Sequence, residues 1–261
     1  MALGWQIILR AQDNRVLSPT LASRRAWSRI IAQGALGSPL LAHGLADTHG
    51  HLLVVASRPE AGRLARRLAH RLHLALQPGV PWEPARLSPI VDQRHLQHAF
   101  FYVLGQQEHH GLDLDPWQEG SALPDLLGLR PAGAWMAANV RAHLPRVQRE
   151  ELLARLGADP WQAGPRFLPL LAAAAAAAVA VEPLTGASRD ERLARIAAVH
   201  LAREVQPQLL APVLGLGTRQ LRRLANDVPT PAMLRAVEGW WNLLSGSQPT
   251  HSRSYKISAC G

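Results

Sequence analysis

Between residues 5 and 104 the hydrophobic period switches repeatedly, and that switching limits the folds open to the chain. Trp5 to Leu9 alternates as a strand, and Gln12-Asp13-Asn14-Arg15 makes a polar turn. Leu21 to Ala35 suits a helix with Leu21, Ala26, Ile30, Ile31 and Ala35 broadly on one side, and Gly34 and Gly37 help to stop it. Leu40 to Ala46 and Thr48 to Ala56 read as two strands joined at Asp47, although His43-Gly44 weakens the first. Pro59 to Leu76 is amphipathic, with Leu64, Leu68, Leu72 and Leu76 forming an i, i+4 stripe. A short strand over Arg86 to Asp92 follows, and Asp92 is placed to cap a helix that carries Phe100, Phe101, Tyr102 and Gln106.

Strand, helix, two strands, helix, strand is the order of an α+β, ferredoxin-like antiparallel layer. Residues 113–133 are turn-rich, and 134–158 read as helical with Pro145 interrupting. Pro160 to Pro169 has the composition of a linker, and Ala172 to Ala178 is a low-complexity helix former. Ser188 opens an all-α block. In it, Leu209 to Leu214, the turn Gly215-Leu216-Gly217 and Thr218 to Ala225 have the pattern of a helix-turn-helix. Thr218 is placed to cap the second helix, and Pro212 requires the first to be short or kinked. That second helix displays Arg219, Gln220, Arg222 and Arg223, which suit the major groove of duplex DNA.

The charge points the same way. The chain of 261 residues has a formal charge of +9, carried by arginine, since Lys256 is the only lysine. A nucleic acid is the obvious polyanionic partner, against a plain compositional bias toward Arg and Ala. Arg63, Arg66, Arg67 and Arg71 decorate the amphipathic helix, either as a solvated face or as phosphate contacts. His70 and His73 on that helix read as exposed or phosphate-facing rather than metal-bound. Cys260 is the one cysteine, so no disulfide or cysteine metal site is expected, which fits a reducing, cytoplasmic setting. No signal peptide is read at the N-terminus. The apolar run Phe167 to Val181 is short for a membrane span and contains Pro169, so no membrane partner is expected.

His49 and His51 sit two apart on a strand and therefore share a face, where two imidazoles can hold one divalent ion. Tyr102 and Gln106 sit four apart on a helix and share a face there. Each pair alone is a weak signal in a chain with twelve histidines. On spacing alone Tyr102 joins Phe100 and Phe101 as a packed aromatic. His109 and His110 read as a solvated helix end.

Taken together, Thr48-His49-Gly50-His51-Leu52-Leu53, the Tyr102 to Gln106 helix and His109-His110-Gly111-Leu112 resemble the HUH single-tyrosine transposases. The Arg10 to Arg15 segment and Gly120 to Arg130 look like their REP-associated transposase-like branch. The resemblance covers about residues 5–130 and implies a catalytic domain over 1–130. A helical connector over 131–185, a helix-turn-helix domain over 186–245 and a disordered tail over 246–261 complete the expected organisation. The resemblance implies Mg²⁺ or Mn²⁺ held by His49, His51 and Gln106. It makes Tyr102 a nucleophile that leaves a 5′-phosphotyrosine on single-stranded or hairpin DNA. It implies a bacterial, nucleoid-associated strand-transfer enzyme, monomeric or homodimeric.

Two positions depart from the pattern. Gly50 stands where the family has a bulky apolar residue, which is expected to loosen the strand and remove a core contact. Gln107-Glu108 stands near the place of the branch's Asn-Pro pair. The alternative is a catalytically inactive, domesticated regulator binding DNA through the helix-turn-helix. An RNA-binding ferredoxin-like domain is weaker, because no aromatic pair lies on a predicted strand.

Overall fold

A computed structural model of the chain describes residues 2–77, 79–110, 115–162 and 164–246, with the side chains of Glu108 and His109 excepted. Gly111 and Leu112 of the family-like segment, and the tail beyond Gly246 with Cys260, lie outside the described residues.

Four strands, β1 (Gly4–Arg10), β2 (Leu40–Leu45), β3 (His49–Val54) and β4 (Arg86–Ile90), form an antiparallel sheet in the order β2-β3-β1-β4. Helix α1 (Leu21–Gly34) links β1 to β2, and α2 (Arg58–Leu76) links β3 to β4. This is the expected α+β, ferredoxin-like layer. Asp47 and Thr48 turn β2 into β3, where Ala46 N–H donates to the His49 carbonyl at 2.9 Å.

Local chemistry sets the helix ends. Thr20 caps α1 through Ser23 N–H, and Asp92 caps α3 (Gln93–Leu104) through His95 N–H at 2.7 Å. Glu60 reaches back to accept from Ser57 N–H at 2.9 Å, at the start of α2. The α2 stripe is buried at Leu64, Leu68 and Leu72 and partly at Leu76, so the i, i+4 reading holds.

The α1 face differs from the expectation. Leu21 is 38% exposed, and the buried side centres on Arg24, Arg25, Trp27, Ser28 and Ile31. An ion pair displaces the apolar pattern here. Arg25 is 2% exposed and grips Glu119, with Nε–Oε2 at 2.5 Å and Nη2–Oε1 at 3.0 Å. It also donates to the Val181 carbonyl at 2.7 Å and to Glu182. A charge buried this deeply is tolerable because each guanidinium nitrogen meets an acceptor.

Gly50 is the second departure. Strand pleating sends Gly50, Leu52 and Val54 to the α1/α2 side and His49, His51 and Leu53 to the other. A Cβ at Gly50 would lie 2.1 Å from Cζ2 and Cη2 of Trp27. The missing side chain therefore leaves no gap, because the fully buried Trp27 indole fills it from α1. The core contact is made from the opposite layer.

Helix α3 covers the other face of the sheet, against β2 and β3. Gly44 on β2 lets it come close: a Cβ there would sit 1.9 Å from the Val103 carbonyl oxygen. The outer edge of β2 is covered rather than open, since Ala122 N–H donates to the His43 carbonyl at 2.8 Å and Asn139 Nδ2 to the Leu40 carbonyl at 3.0 Å.

The rest of the described chain is helical: α4 (Gln106–His109), α5 (Leu123–Leu127), α6 (Met136–His143), α7 (Arg149–Leu156), α8 (Leu171–Ala178), α9 (Arg189–Leu201), α10 (Pro207–Val213), α11 (Thr218–Ala225) and α12 (Pro231–Gly246). Pro145 lies in the break between α6 and α7, as its chemistry requires. The alanines of α8 bury it against α9 and α12. No helix among the described residues is long and apolar enough to cross a membrane.

The 160–169 segment, linker-like in composition, lies along α12. Trp241 Nε1–H donates to the Phe167 carbonyl at 2.9 Å, Phe167 N–H to Ser245 Oγ at 3.0 Å and Asn242 Nδ2–H to the Pro160 carbonyl at 2.9 Å. Helix α12 also reaches the strand layer's flank, where the buried Trp240 donates from Nε1 to the Leu129 carbonyl at 2.9 Å.

Candidate active site

The site lies where the free face of β3 meets α3. His49 and His51 point to that face, with ring centroids 4.7 Å apart at 60°. The Tyr102 ring stands edge-on to His51 at 5.7 Å and 89°. The expectation that Tyr102 packs with its aromatic neighbours is not met. Phe100 is fully buried and pairs with Phe101 at 5.3 Å, whereas Tyr102 is 42% exposed. Helical geometry explains the split, because successive residues turn about 100° and only one of the three can face the sheet squarely.

Gln106 comes to the same place. It is buried over Gly44, its Cγ 3.4 Å from the position of a Cβ there, and Gly44 pairs across the ladder with His51. Its amide nitrogen donates to the Tyr102 carbonyl at 2.9 Å. The amide oxygen is thereby turned away, buried and without a hydrogen-bond partner among the described residues. A buried acceptor left this way costs free energy unless something else meets it.

Supporting groups surround the imidazoles. Gln6 on β1 places its amide nitrogen 2.9 Å from His51 Nδ1. A side-chain amide can present either end. With nitrogen toward Nδ1 it donates, and the neutral ring carries its proton on Nε2. With oxygen toward Nδ1 it accepts, and Nε2 offers the lone pair that a cation needs. Thr48 Oγ1 stands 3.2 Å from His49 Nδ1 and can orient that ring in the same way. Arg10 is the cross-strand partner of His49. Burial first, then the Arg10 charge and His110, hold the His49 imidazole below its ordinary value, against the pull of Asp47. A ring held neutral is a ring able to ligate.

Among the described residues no group of three His, Cys, Asp or Glu is placed to hold a metal ion. The set here is different in kind, two imidazoles and an amide oxygen. The Gln106 oxygen, without a partner among the described residues and beside the His49 and His51 rings, fits a divalent cation of the Mn²⁺ or Mg²⁺ type.

The remaining candidates are distributed elsewhere. Arg63, Arg66, Arg67 and Arg71 are exposed on α2, across the sheet from His49, His51 and Tyr102. Arg219, Gln220, Arg222 and Arg223 are exposed on α11. Gly217, not Thr218, caps α11, and Gln220 Oε1 accepts from Gly217 N–H at 3.0 Å. Gly215 takes the left-handed φ of +62° that the preceding turn demands, and Pro212 is accommodated because α10 has seven residues.

The sequence reading gave no site role to Thr48, the chain neighbour of His49, or to Gln6 and Arg10, whose signal is strand register alone. It also missed His110, whose ring lies 5.3 Å from that of His49 although it was expected to be a bystander. Arg94 and His98, at four-residue steps before Tyr102, are exposed on the same helix; that spacing was a readable signal. Compared with known proteins, the chain matches no family model, no curated protein and no solved structure.

Proposed function

We propose that the chain is a metal-dependent enzyme of the HUH single-tyrosine type that nicks and rejoins single-stranded or hairpin DNA. One observation carries the reading: an exposed tyrosine on α3 stands against His51 of an imidazole pair on β3, beside an amide oxygen with no partner among the described residues. His49, His51 and Gln106 would hold a divalent cation, which would supply charge to polarise the scissile phosphate.

The chain's own groups do the rest. Tyr102 Oη attacks phosphorus, forming an Oη–P bond as the P–O3′ bond breaks. The phenol proton passes to water, and the departing 3′ oxygen takes up a proton. The 5′-phosphotyrosine keeps the phosphoester, so a second 3′-hydroxyl can reverse the step without ATP. Gln6 and Thr48 hold the imidazoles, and Arg10 and the exposed Arg94 offer phosphate contacts.

The test is a covalent adduct. Labelled hairpin DNA with Mn²⁺ should give a protein–DNA band on a denaturing gel with the wild-type chain and none with Tyr102→Phe. A band that survives Tyr102→Phe, or none from wild type on any single-stranded DNA, overturns the reading.

A second reading has its own support. The exposed Arg219, Arg222 and Arg223 on α11 suit a duplex-binding regulator without catalysis. It predicts salt-sensitive duplex binding that Tyr102→Phe leaves intact, together with no adduct.

A further inference from the structure

Resting on the nicking reading, we propose that a cavity behind the β2–β3 turn is a pocket for the base of a nucleotide adjoining the scissile phosphate, with guanine as its best fit. The cavity, about 310 Å³, is lined by Val16, Pro19, Leu45 and Ala46 and by Arg24, Asp47, Gln107 and Asp115 among its polar residues. Its volume lies at the small end for ligand sites and suits one heterocycle rather than a longer ligand.

The pocket and the candidate active site share their supports. Asp47 precedes the Thr48-His49 pair in the same turn, and Gln107 follows Gln106 on α4. One amide of that Gln-Gln pair bonds the Tyr102 carbonyl at the candidate site, and the other lines the cavity.

Gln107 is the built part of the pocket. It is 7% exposed, and its Nε2 donates to Asp115 Oδ2 at 2.8 Å. That carboxylate also accepts from Glu119 N–H and Gly120 N–H, each at 2.7 Å. A carboxylate so placed requires the nitrogen end of the amide, so the orientation of Gln107 is chemically determined. Its oxygen is then a buried acceptor with no hydrogen-bond partner among the described residues.

Asp47 adds a second acceptor, with Oδ1 taking Thr48 N–H at 2.7 Å. Arg24 lines the same cavity and sets a positive charge beside it, 9% exposed and anchored by Nε to the Ser18 carbonyl at 3.3 Å. Two acceptors beside apolar walls ask for a ring with adjacent N–H donors on its edge. Guanine offers adjacent N1–H and N2–H₂ donors together with O6 and N7. Adenine lacks the N1–H donor, and cytosine lacks the paired donors.

The experiment compares adduct rates on hairpin DNA whose nucleotides on either side of the nick carry each base in turn or an abasic site. For wild type, one of the two positions should prefer guanine, with at least a tenfold loss for the abasic site. Gln107→Leu should erase that preference. Val16→Trp, changed at a rim residue that is half exposed, plugs the mouth without touching the buried network and should erase it too. Wild-type adducts forming at one rate on every flanking base overturn the pocket alone. A preference that survives both variants, each shown to be folded by its thermal transition, also overturns it. No adduct on any DNA overturns the nicking reading, and the pocket falls with it.

Discussion

Replacing Gly50 tests whether the histidine strand is held by a tryptophan from the opposite layer. A Cβ at this position would stand 2.1 Å from two carbons of the Trp27 ring, well inside ordinary contact. Trp27 is fully buried, so its ring has no open side to retreat to. Overpacking of this kind typically costs about 1–3 kcal/mol, and Gly50→Leu belongs at or above the upper end. Trp27→Ala alone empties the site and should cost about 3–5 kcal/mol. Combined, the two changes exchange bulk across the sheet, and the double variant should recover about 1–3 kcal/mol relative to the sum of the singles. At this chain length each kcal/mol corresponds to about 2–4 °C in Tm. Urea titrations of the four proteins, read at constant slope, give the cycle. Additive single effects, or a neutral Gly50→Leu, would show that Trp27 does not stand in for the missing side chain.

Gly44→Ala should push α3 off the sheet, because the new carbon meets the Val103 backbone rather than a yielding side chain. A loss of about 1–3 kcal/mol in urea and a tenfold or greater loss of adduct should appear together. Gln6→Leu should leave folding nearly unchanged but raise the Mn²⁺ concentration for half-maximal adduct about 10–100-fold, as loss of an orienting hydrogen bond does. Arg25→Met should cost about 3–5 kcal/mol by leaving Glu119 buried and unpaired, and adding Glu119→Gln should restore much of it. Burial holds both the His43 and His49 rings below their ordinary value. The unfolded chain takes up protons near pH 6.5 where the folded chain does not, so stability is full above that pH and declines below it. The urea midpoint should fall between pH 7 and pH 5, and His43→Leu should flatten the fall.

The strand and helix order was legible because each segment announces its own period. The leucine stripe of α2 and the cap at Asp92 are local signals, and both stand in the structure. The shared face of His49 and His51 follows from pleating alone. What the sequence hid is pairing between distant residues. Nothing near Gly50 names Trp27, and nothing near Leu21 reveals that α1 turns Arg25 inward to meet Glu119. Gln6 and Arg10 joined the site through the β1–β3 register, which fixes neighbours only after strands are matched. His110 is exposed at a helix end, as read, but its closeness to His49 on a distant strand leaves no local trace. The 160–169 segment shows the same limit, since the partners of its backbone lie on a helix 74 to 82 residues later.

The Trp240 indole that meets the Leu129 carbonyl, and the Arg25 guanidinium that reaches Val181 and Glu182, carry a consequence for biosynthesis. As the polypeptide leaves the ribosome, the sheet and its first helices emerge long before the residues that complete their flank. Arg25 waits for Val181 and Glu182, and the apolar surface around Leu129 waits longer, until α12 arrives, in a half-finished interior that invites association with other nascent chains. The last long helix thus acts as the closing piece of an arch, and slowing translation just ahead of it should leave more of the product insoluble.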